Sequence, residues 1–334
     1  MDLDTLLKHT SRSLYLSAKM LPAKICPAFG LAYLLCRYAD SIADTDLIPS
    51  EKRLSWVEQF PQLIRTADVH MQTELVRDLT GSSENPYEKE LITHLADCLQ
   101  ALQSIQSDLI PYIYEVVQAV CDGMRLDLTT FNGTTLSAFK TEQDLTHYCR
   151  LMGGKPGLFW SQLIYQTCRV KLPKEHFFTL GQQVGDALQI VNILRDLPRD
   201  LQNKRCYFPL EHLQKQGLSA ADLLTPANTP QFEPIKRYWL TWGKQNLQQA
   251  IAFFSALPKT EIRTRAAVAW PILWTADTFN KLAACPDLLN PQKRVKIPRV
   301  TVYFTLFITP LLLMSNTFFA TWLTRKLNKL SRAL

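Results

Sequence analysis

Residues 181–200 form a segment in which apolar residues cover most of a helix and polar residues follow one narrow line along it. The line contains Gly185, Gln189, Asn192 and Asp196, spaced i, i+4, i+7 and i+11. At 3.6 residues per turn, this spacing places all four residues on one side of a helix. A helix that is apolar almost all round is buried, and a buried carboxylate needs a partner or a metal ion. The pattern therefore predicts a buried helix whose polar line faces a polar cavity.

Residues 28–44 repeat this arrangement on a second apolar helix. Its polar line, with the same four spacings, consists of Tyr33, Arg37, Asp40 and Asp44. Two aspartates four residues apart would repel each other slightly on an exposed helix, whereas Mg²⁺ binds through one or two carboxylates, waters and substrate phosphates. Each segment also carries an arginine, Arg37 or Arg195. If the two helices face each other, the two lines indicate a Mg²⁺–diphosphate site. For either line alone, a solvated face on an amphipathic helix is the alternative.

Pro198 decides how far the second of these helices extends. A proline inside a helix removes one hydrogen bond and clashes with the carbonyl four residues earlier, which costs ~3 kcal/mol. We therefore expect the helix to kink or to end near Leu197. Asp200 joins the polar line only if the helix continues.

Residues 148–157 contain paired glycines, Gly153 and Gly154, followed by Lys155 and a proline. The segment is not a P-loop, because the GxxxxGK[ST] spacing is missing. Paired glycines here predict a break or a kink in a helix beside the cavity.

The last 42 residues differ from the rest of the chain in charge and hydropathy. Residues 293–334 hold eight cations and no acid, so the net charge of +7 comes from this segment. Residues 300–324 form a run of 25 residues without a charge, and this run is long enough to cross a hydrocarbon core of ~30 Å. Tyr303 and Trp322 lie near its ends, as interfacial aromatics do. The basic tail favours a membrane surface over nucleic acid as the partner.

We therefore predict two parts, an all-α catalytic domain at 1–292 and a membrane-anchor segment at 293–334. Because the N-terminus lacks the apolar region of a signal peptide, we expect a protein anchored in the membrane by its C-terminus, with its body in the cytoplasm. A re-entrant hairpin, or a helix packed on the body, is the alternative for the tail.

Several other classes of protein are disfavoured by the motifs. The eight cysteines are scattered, without Cys/His ligand spacing. The paired Glu-x-x-His motifs of di-iron bundles and the GxGxxG of a dinucleotide-binding fold do not occur. Residues 40–44 read Asp-x-x-x-Asp, whereas head-to-tail prenyltransferases and terpene cyclases would show Asp-Asp-x-x-Asp. A non-catalytic helical scaffold tethered to a membrane remains an alternative.

Three stretches resemble the motifs of the squalene/phytoene synthases, which are head-to-head prenyl synthases. They are Arg37 with Asp40-Ser-Ile-Ala-Asp44, then Gln189-Ile-Val-Asn-Ile-Leu-Arg-Asp196, then Arg205-Cys-Tyr-Phe-Pro209. The resemblance extends to Ser11-Arg-Ser13 and Tyr148-Cys-Arg150 and covers roughly residues 8–290. It implies an all-α isoprenoid synthase bundle around a central cavity, here with a C-terminal hydrophobic helix. Met152-Gly-Gly-Lys-Pro-Gly157 departs from the Ala-Gly-x-Val-Gly that the family usually shows.

The resemblance also implies roles for individual residues. The expected metal ligands are Asp40, Asp44, Asn192, Asp196 and Asp200. The residues expected to bind substrate diphosphate are Ser11, Arg12, Ser13, Tyr33, Arg37, Gln189, Arg195, Arg205 and Tyr207. The residues expected to be catalytic are Tyr148, Asp40, Asp44 and Asp196.

The reaction that follows from this resemblance is the condensation of two farnesyl diphosphates. It would pass through presqualene diphosphate to squalene, with Mg²⁺ as the metal and NADPH, implied by the family alone, as the hydride donor. Without a hydride step the product would be dehydrosqualene or, from geranylgeranyl diphosphate, phytoene. The hydrophobic tail favours squalene. The expected partners are the prenyl diphosphate and membrane lipid, and no nucleic acid is expected.

Overall fold

The structure, a computed structural model, describes residues 3–11, 13–45, 48–80, 86–131 and 133–333. Most of these residues are helical, which confirms the all-α class. Arg12 lies outside the described residues. The helices of the first half are α1 (Leu3–Ser11), α2 (Ser13–Met20), α3 (Cys26–Asp44), α4 (Ser50–Thr66), α5 (Val69–Leu79), α6 (Pro86–Thr93), α7 (Leu95–Gln103), α8 (Ile110–Thr130) and α9 (Glu142–Cys149).

A π-helical turn, Arg150–Gly154, connects α9 to the second half of the chain, and two short 3₁₀ turns occupy Ala221–Leu224 and Pro226–Asn228. The remaining helices are α10 (Lys155–Tyr165), α11 (Lys174–Gln202), α12 (Leu210–Lys215), α13 (Thr229–Gln248), α14 (Ala250–Ser255), α15 (Ile262–Ala283), α16 (Arg299–Met314) and α17 (Asn316–Ala333). Two strands of two residues each, β1 (Ser137–Ala138) and β2 (Arg205–Cys206), pair in parallel.

The chain divides into two compact units. The N-terminal unit consists of Met1–Thr129 and Gln162–Thr167, and the C-terminal unit consists of Thr130–Ser161 and Cys168–Leu334. In the first, α3 is the central helix and packs against α1, α4, α6 and α7; in the second, α11 has this role and packs against α13, α14, α15 and the π-helical turn. The predicted functional boundary at residue 292 stays a prediction.

Helix α3 is buried on almost its whole circumference, as its apolar pattern predicts. Pro27 lies in the first turn, where the missing N–H costs no hydrogen bond, and the helix ends at Asp44, after which Thr45 is extended. Tyr38 is fully buried and its ring stacks on Phe60 of α4. The helix is therefore held from several sides, with one polar line left accessible.

We expect α11 to kink or to end near Leu197, and the predicted end is wrong, because the helix continues through Pro198 to Gln202. Leu197, Pro198 and Leu201 are all buried. Burial of these side chains offsets the ~3 kcal/mol that an interior proline costs. As a result, Asp200 lies on the same helix as Asn192 and Asp196.

The C-terminal uncharged run forms two helices, and the predicted membrane anchor is wrong. Among the described residues, no helix combines the length and the apolar character that crossing a membrane requires. The run is broken at Ser315, whose backbone is extended between α16 and α17. Both helices pack on α15, and Phe319 of α17 stacks on Phe254 with ring centroids 3.7 Å apart. The membrane localisation predicted from the tail is withdrawn on this finding.

Arg265 of α15 binds the chain on both sides of the break at Ser315. Its guanidinium is fully buried and donates to the carbonyls of Leu313 (2.9 Å) and Leu257 (3.0 Å) and to the Asn316 side chain (2.7 Å). The guanidinium also lies 4.0 Å from the ring centroid of Phe254. Carbonyls at helix C-termini carry partial negative charge, so the cation joins the ends of α14 and α16.

Candidate functional site

The polar line of α3 is the accessible part of a helix that is otherwise buried. Tyr33, Arg37 and Asp40 are half-buried and Asp44 is exposed, whereas their helical neighbours are mostly buried. The Tyr33 hydroxyl donates to the Thr10 carbonyl at 2.9 Å, and Arg37 forms an ion pair with Asp40. The aspartates predicted to bind a metal therefore lie on an accessible face, beside a cation from the same helix.

Ser11 lies at the end of α1 and is buried. Its hydroxyl donates to the Leu7 carbonyl of the same helix at 2.5 Å. This bond occupies the hydroxyl proton within α1, and the diphosphate-binding role expected for Ser11 stays a prediction. Arg12 lies outside the described residues, and the side chain of Ser13 is not described.

The polar line of α11 has the same character. Gln189, Asn192, Asp196 and Asp200 are half-buried, between residues that are mostly buried. Arg195 donates to both carboxylate oxygens of Asp196, at 3.0 Å and 2.5 Å. On each of the two helices, one predicted metal ligand thus pairs with one predicted diphosphate-binding arginine.

Gly185, the first residue of this line in the sequence pattern, contacts another part of the backbone. A Cβ at Gly185 would lie 2.1 Å from the carbonyl oxygen of Gly153, and a Cβ at Gly153 would lie 2.4 Å from the carbonyl oxygen of Gly185. A Cβ at Gly153 would also lie 2.6 Å from the Cβ of Gln189. The π-helical turn therefore packs directly on α11, and Gly185 belongs to this contact.

We expect Gly153→Ala to destabilise the fold by about 2–3 kcal/mol, because the added methyl group meets backbone that cannot move cheaply. The measurement is chemical denaturation followed by circular dichroism. Gly30→Ala is the matched control, since its Cβ would meet only the end of the Leu7 side chain, at 3.1 Å. Equal losses in the two variants would contradict the assigned contact.

The π-helical turn interrupts the helix at the paired glycines, as predicted from the sequence. Its first residue, Arg150, donates from Nε and Nη2 to the carboxylate of Asp186 on α11, at 3.0 Å and 2.7 Å. Asp186 is 1% exposed. Burial raises the pKa of its carboxyl to about 6, although Arg150 acts in the opposite direction.

We expect Arg150→Met to lose stability at pH 8 and to recover part of it as the pH falls from 8 to 5, since removing Arg150 raises the pKa of Asp186 further. Without the arginine, the buried Asp186 carboxylate is unpaired, and protonation removes the cost of burying its charge. The sign follows from linkage: the folded-state pKa lies above the unfolded value, so the free energy of unfolding rises as the pH falls through it. Denaturation curves at pH 5 and pH 8 measure the difference. Adding Asp186→Asn should abolish this pH dependence, and its persistence in the double variant would contradict the explanation.

Tyr148 and Tyr207 form a buried aromatic pair in the C-terminal unit. Their ring centroids are 4.9 Å apart with an interplanar angle of 24°, and their hydroxyl oxygens are 3.4 Å apart. Phe131 and Phe139 pack edge-on or tilted against this pair. Pairing of β1 with β2 places Phe139 and Tyr207, each just after a strand, side by side. Arg205 lies in β2 itself, half-buried.

The two phenylalanines were not predicted as part of a site. Phe139 contacts Tyr207 because two strands of two residues each pair in parallel, although they lie about 70 positions apart in the chain. Strands this short show no alternating pattern from which the contact could be predicted.

Another group that sequence reasoning missed lies beside this ladder. Within the described part of the chain, ligand atoms of Glu142, Glu211 and His212 lie within 4.8 Å of one another, close enough to share a cation. Their oxygens and nitrogen already have partners: Glu211 accepts the backbone N–H of Glu142 at 2.6 Å, and His212 lies 3.3 Å from the Glu142 carboxylate. These contacts tie the start of α9 to α12.

The donor sets of the two polar lines fit a hard cation such as Mg²⁺. Carboxylate and amide oxygens on an accessible helical face are the ligands that Mg²⁺ uses together with waters and phosphates. The side chains of Asp40 and Asp196 are 25% and 43% exposed, so their oxygens can be reached from solvent. The α3 line belongs to the N-terminal unit and the α11 line to the C-terminal unit, and a shared cavity between the lines stays a prediction.

A family model described as squalene/phytoene synthase matches residues 7–301. A bifunctional lycopene cyclase/phytoene synthase of Pyrenophora tritici-repentis is 26% identical over 307 residues, 89% of this chain and 47% of that protein. The squalene synthase of Schizosaccharomyces pombe is 25% identical over 291 residues, 87% of this chain and 61% of that protein. The chain thus spans about half the length of the curated relatives it matches.

Solved structures share the fold. A complex of TcSQS with the ligand E5700 superposes with a TM-score of 0.79 at 18% identity and covers 99% of this chain and 96% of that one. A dehydrosqualene synthase in complex with a ligand has a TM-score of 0.60 at 18% identity, covering 96% and 95% of the two chains.

Proposed function

This chain belongs to the squalene/phytoene synthase family, and we propose that it is a prenyltransferase that joins two prenyl diphosphates head to head. The observation that carries the proposal is the repeated arrangement on α3 and α11. On each helix an aspartate of the accessible polar line forms an ion pair with an arginine of the same helix. Ionising an allylic diphosphate requires positive charge at the leaving group, and such lines supply both metal ligands and guanidinium donors.

The proposed metal ligands are Asp40, Asp44, Asn192, Asp196 and Asp200. Bound Mg²⁺ would neutralise the developing charge of the leaving diphosphate. Arg37 and Arg195, which pair with Asp40 and Asp196 in this structure, would turn toward diphosphate oxygens, for which the guanidinium fork suits two parallel hydrogen bonds. Tyr33, Gln189 and Arg205 would add donors, and Ser11, Arg12 and Ser13 are proposed by resemblance alone.

Tyr148 and Tyr207 would act at the carbon centre. Their stacked rings, packed among phenylalanines, offer an apolar surface for an allylic cation and exclude water from it. The Tyr148 hydroxyl, 3.4 Å from that of Tyr207, would orient or relay the proton lost when the cyclopropane ring closes. A phenol, with an ordinary pKa near 10, is a weak base at neutral pH, so orientation is a role that Tyr148 can fill without ionising.

We propose farnesyl diphosphate as the substrate and squalene as the product, with NADPH as hydride donor. The relatives carry both squalene synthase and phytoene synthase names, so phytoene from geranylgeranyl diphosphate, or dehydrosqualene without hydride, is the second candidate. The tail no longer favours squalene, since it is not a membrane span.

Incubation of the purified chain with labelled farnesyl or geranylgeranyl diphosphate, with and without Mg²⁺ and NADPH, tests the proposal. We expect Mg²⁺-dependent release of diphosphate, with presqualene diphosphate formed without NADPH and squalene formed when NADPH is added. A C40 hydrocarbon, or dehydrosqualene formed without NADPH, would select the second candidate. Absence of any condensation product from either substrate would contradict the prenyltransferase proposal and leave a non-catalytic role.

A further inference from the structure

We propose that Arg150 and Asp186 form a positioning pair that holds Tyr148 in register with the polar line of α11. This inference rests on the proposed function, because Tyr148 and that line act together only in such a reaction. Neither residue of the pair is among those assigned above to substrate or metal.

Covalent connections place the pair beside both parts of the site. Tyr148 is followed two residues later by Arg150, where α9 passes directly into the π-helical turn. Asp186 precedes Gln189 by three residues, which is about one turn of α11. A bond between Arg150 and Asp186 therefore links the end of the tyrosine helix to the start of the polar line.

Where Gly153 and Gly185 meet, the two segments touch backbone to backbone. These two residues have no side chains that could fix the register of the segments. A Cβ at Gly154 would lie 2.3 Å from the Asp186 carboxylate and 2.7 Å from Cδ of Arg150. The glycine thus leaves the space that the ion pair occupies, and the pair is a directional contact between the two segments.

The geometry of the pair suits this role. Nε of Arg150 donates to Oδ1 of Asp186 at 3.1 Å and Nη2 donates to Oδ2 at 2.7 Å, and such a two-point contact fixes direction as well as distance. A lysine keeps the charge but makes a single-point contact. A π-helical turn is rare and occurs frequently at functional sites, and here it begins at the arginine of the pair.

Arg150→Lys and Asp186→Asn test the proposal by steady-state kinetics with the prenyl diphosphate and Mg²⁺. We expect kcat to fall about tenfold or more in each variant, while KM changes less than about threefold, since misplacing a reacting group by a fraction of an ångström affects chemistry more than binding. Asp277→Asn is the matched control. It breaks the Lys326–Asp277 ion pair of the same unit, between α15 and α17, and should lower stability without lowering kcat.

Losses of kcat no larger than that of Asp277→Asn at matched stability would overturn the proposal. A second readout separates it from the proposed function. In protein labelled with 3-fluorotyrosine, the ¹⁹F resonance missing from Tyr148→Phe identifies Tyr148. The chemical shift of this resonance should change in Arg150→Lys and stay unchanged in Asp277→Asn. If the wild type turns over no prenyl diphosphate, the proposed function fails. If the Tyr148 resonance also has the same chemical shift in Arg150→Lys as in the wild type, the positioning pair is overturned as well.

Discussion

Replacing Asp40 or Asp196 by asparagine should reduce turnover of the prenyl diphosphate by about 10³-fold or more while leaving the helical content unchanged. Asparagine keeps the size of the side chain but removes the negative charge that holds a divalent cation. Without the cation, the leaving diphosphate develops charge that nothing neutralises, and losses of this size are typical when such stabilisation is removed. Both side chains are partly exposed, so we expect little cost in stability.

The measurement is product formation over a Mg²⁺ titration, together with circular dichroism. Asp108→Asn is the control, because Asp108 is an exposed aspartate in the turn before α8. It belongs to neither of the two segments that carry the polar lines. The metal assignment would be refuted by near-normal activity in either Asp40→Asn or Asp196→Asn. Activity lost equally in the control would point to a general effect of charge.

Arg265→Leu should lower the free energy of unfolding by about 3–4 kcal/mol. Leucine removes the guanidinium and leaves the carbonyls of Leu313 and Leu257 without the donor that satisfies them. An unsatisfied buried acceptor costs about 1–3 kcal/mol, and the contact with the Phe254 ring is lost as well. Because Leu313 lies in the last turn of α16 and Leu257 follows α14, we expect the C-terminal helix pair to loosen first.

Chemical denaturation gives the total loss, and hydrogen exchange shows whether amides of α16 and α17 lose protection before those of α11. Arg263→Leu is the matched variant, since Arg263 is an exposed arginine on the same helix. We expect its effect to stay within about 0.5 kcal/mol. If Arg265→Leu were as mild, the guanidinium would not be what holds the tail on α15.

The helical class and the two polar lines could be predicted because they depend on local periodicity. The spacing from Tyr33 to Asp44 places its members on one face whatever the helix packs against, and the structure leaves that face accessible. Gly185 has the same spacing as Gln189 and Asn192, yet it packs on Gly153. Periodicity specifies the face on which a residue lies but not the element that covers that face.

The tail was misjudged for a related reason. A run of 25 residues without charge satisfies the length criterion for a membrane span, and hydropathy alone cannot distinguish it from two helices packed on a protein surface. The distinguishing residue is Arg265, which lies 48 positions before its acceptor Leu313. The same holds for Pro198, where burial of its neighbours keeps α11 helical beyond the proline.

The sequence by itself determined the all-α class, the family motifs and which side chains share a helical face, because each depends on residues within a few turns of one another. The tertiary structure alone decided that Tyr148 stacks on Tyr207, that Arg150 pairs with Asp186 and that the tail packs on α15. These contacts join residues about 35 to 60 positions apart, and their free energy comes from burial and from satisfying buried polar groups. Neither quantity exists until the chain has folded.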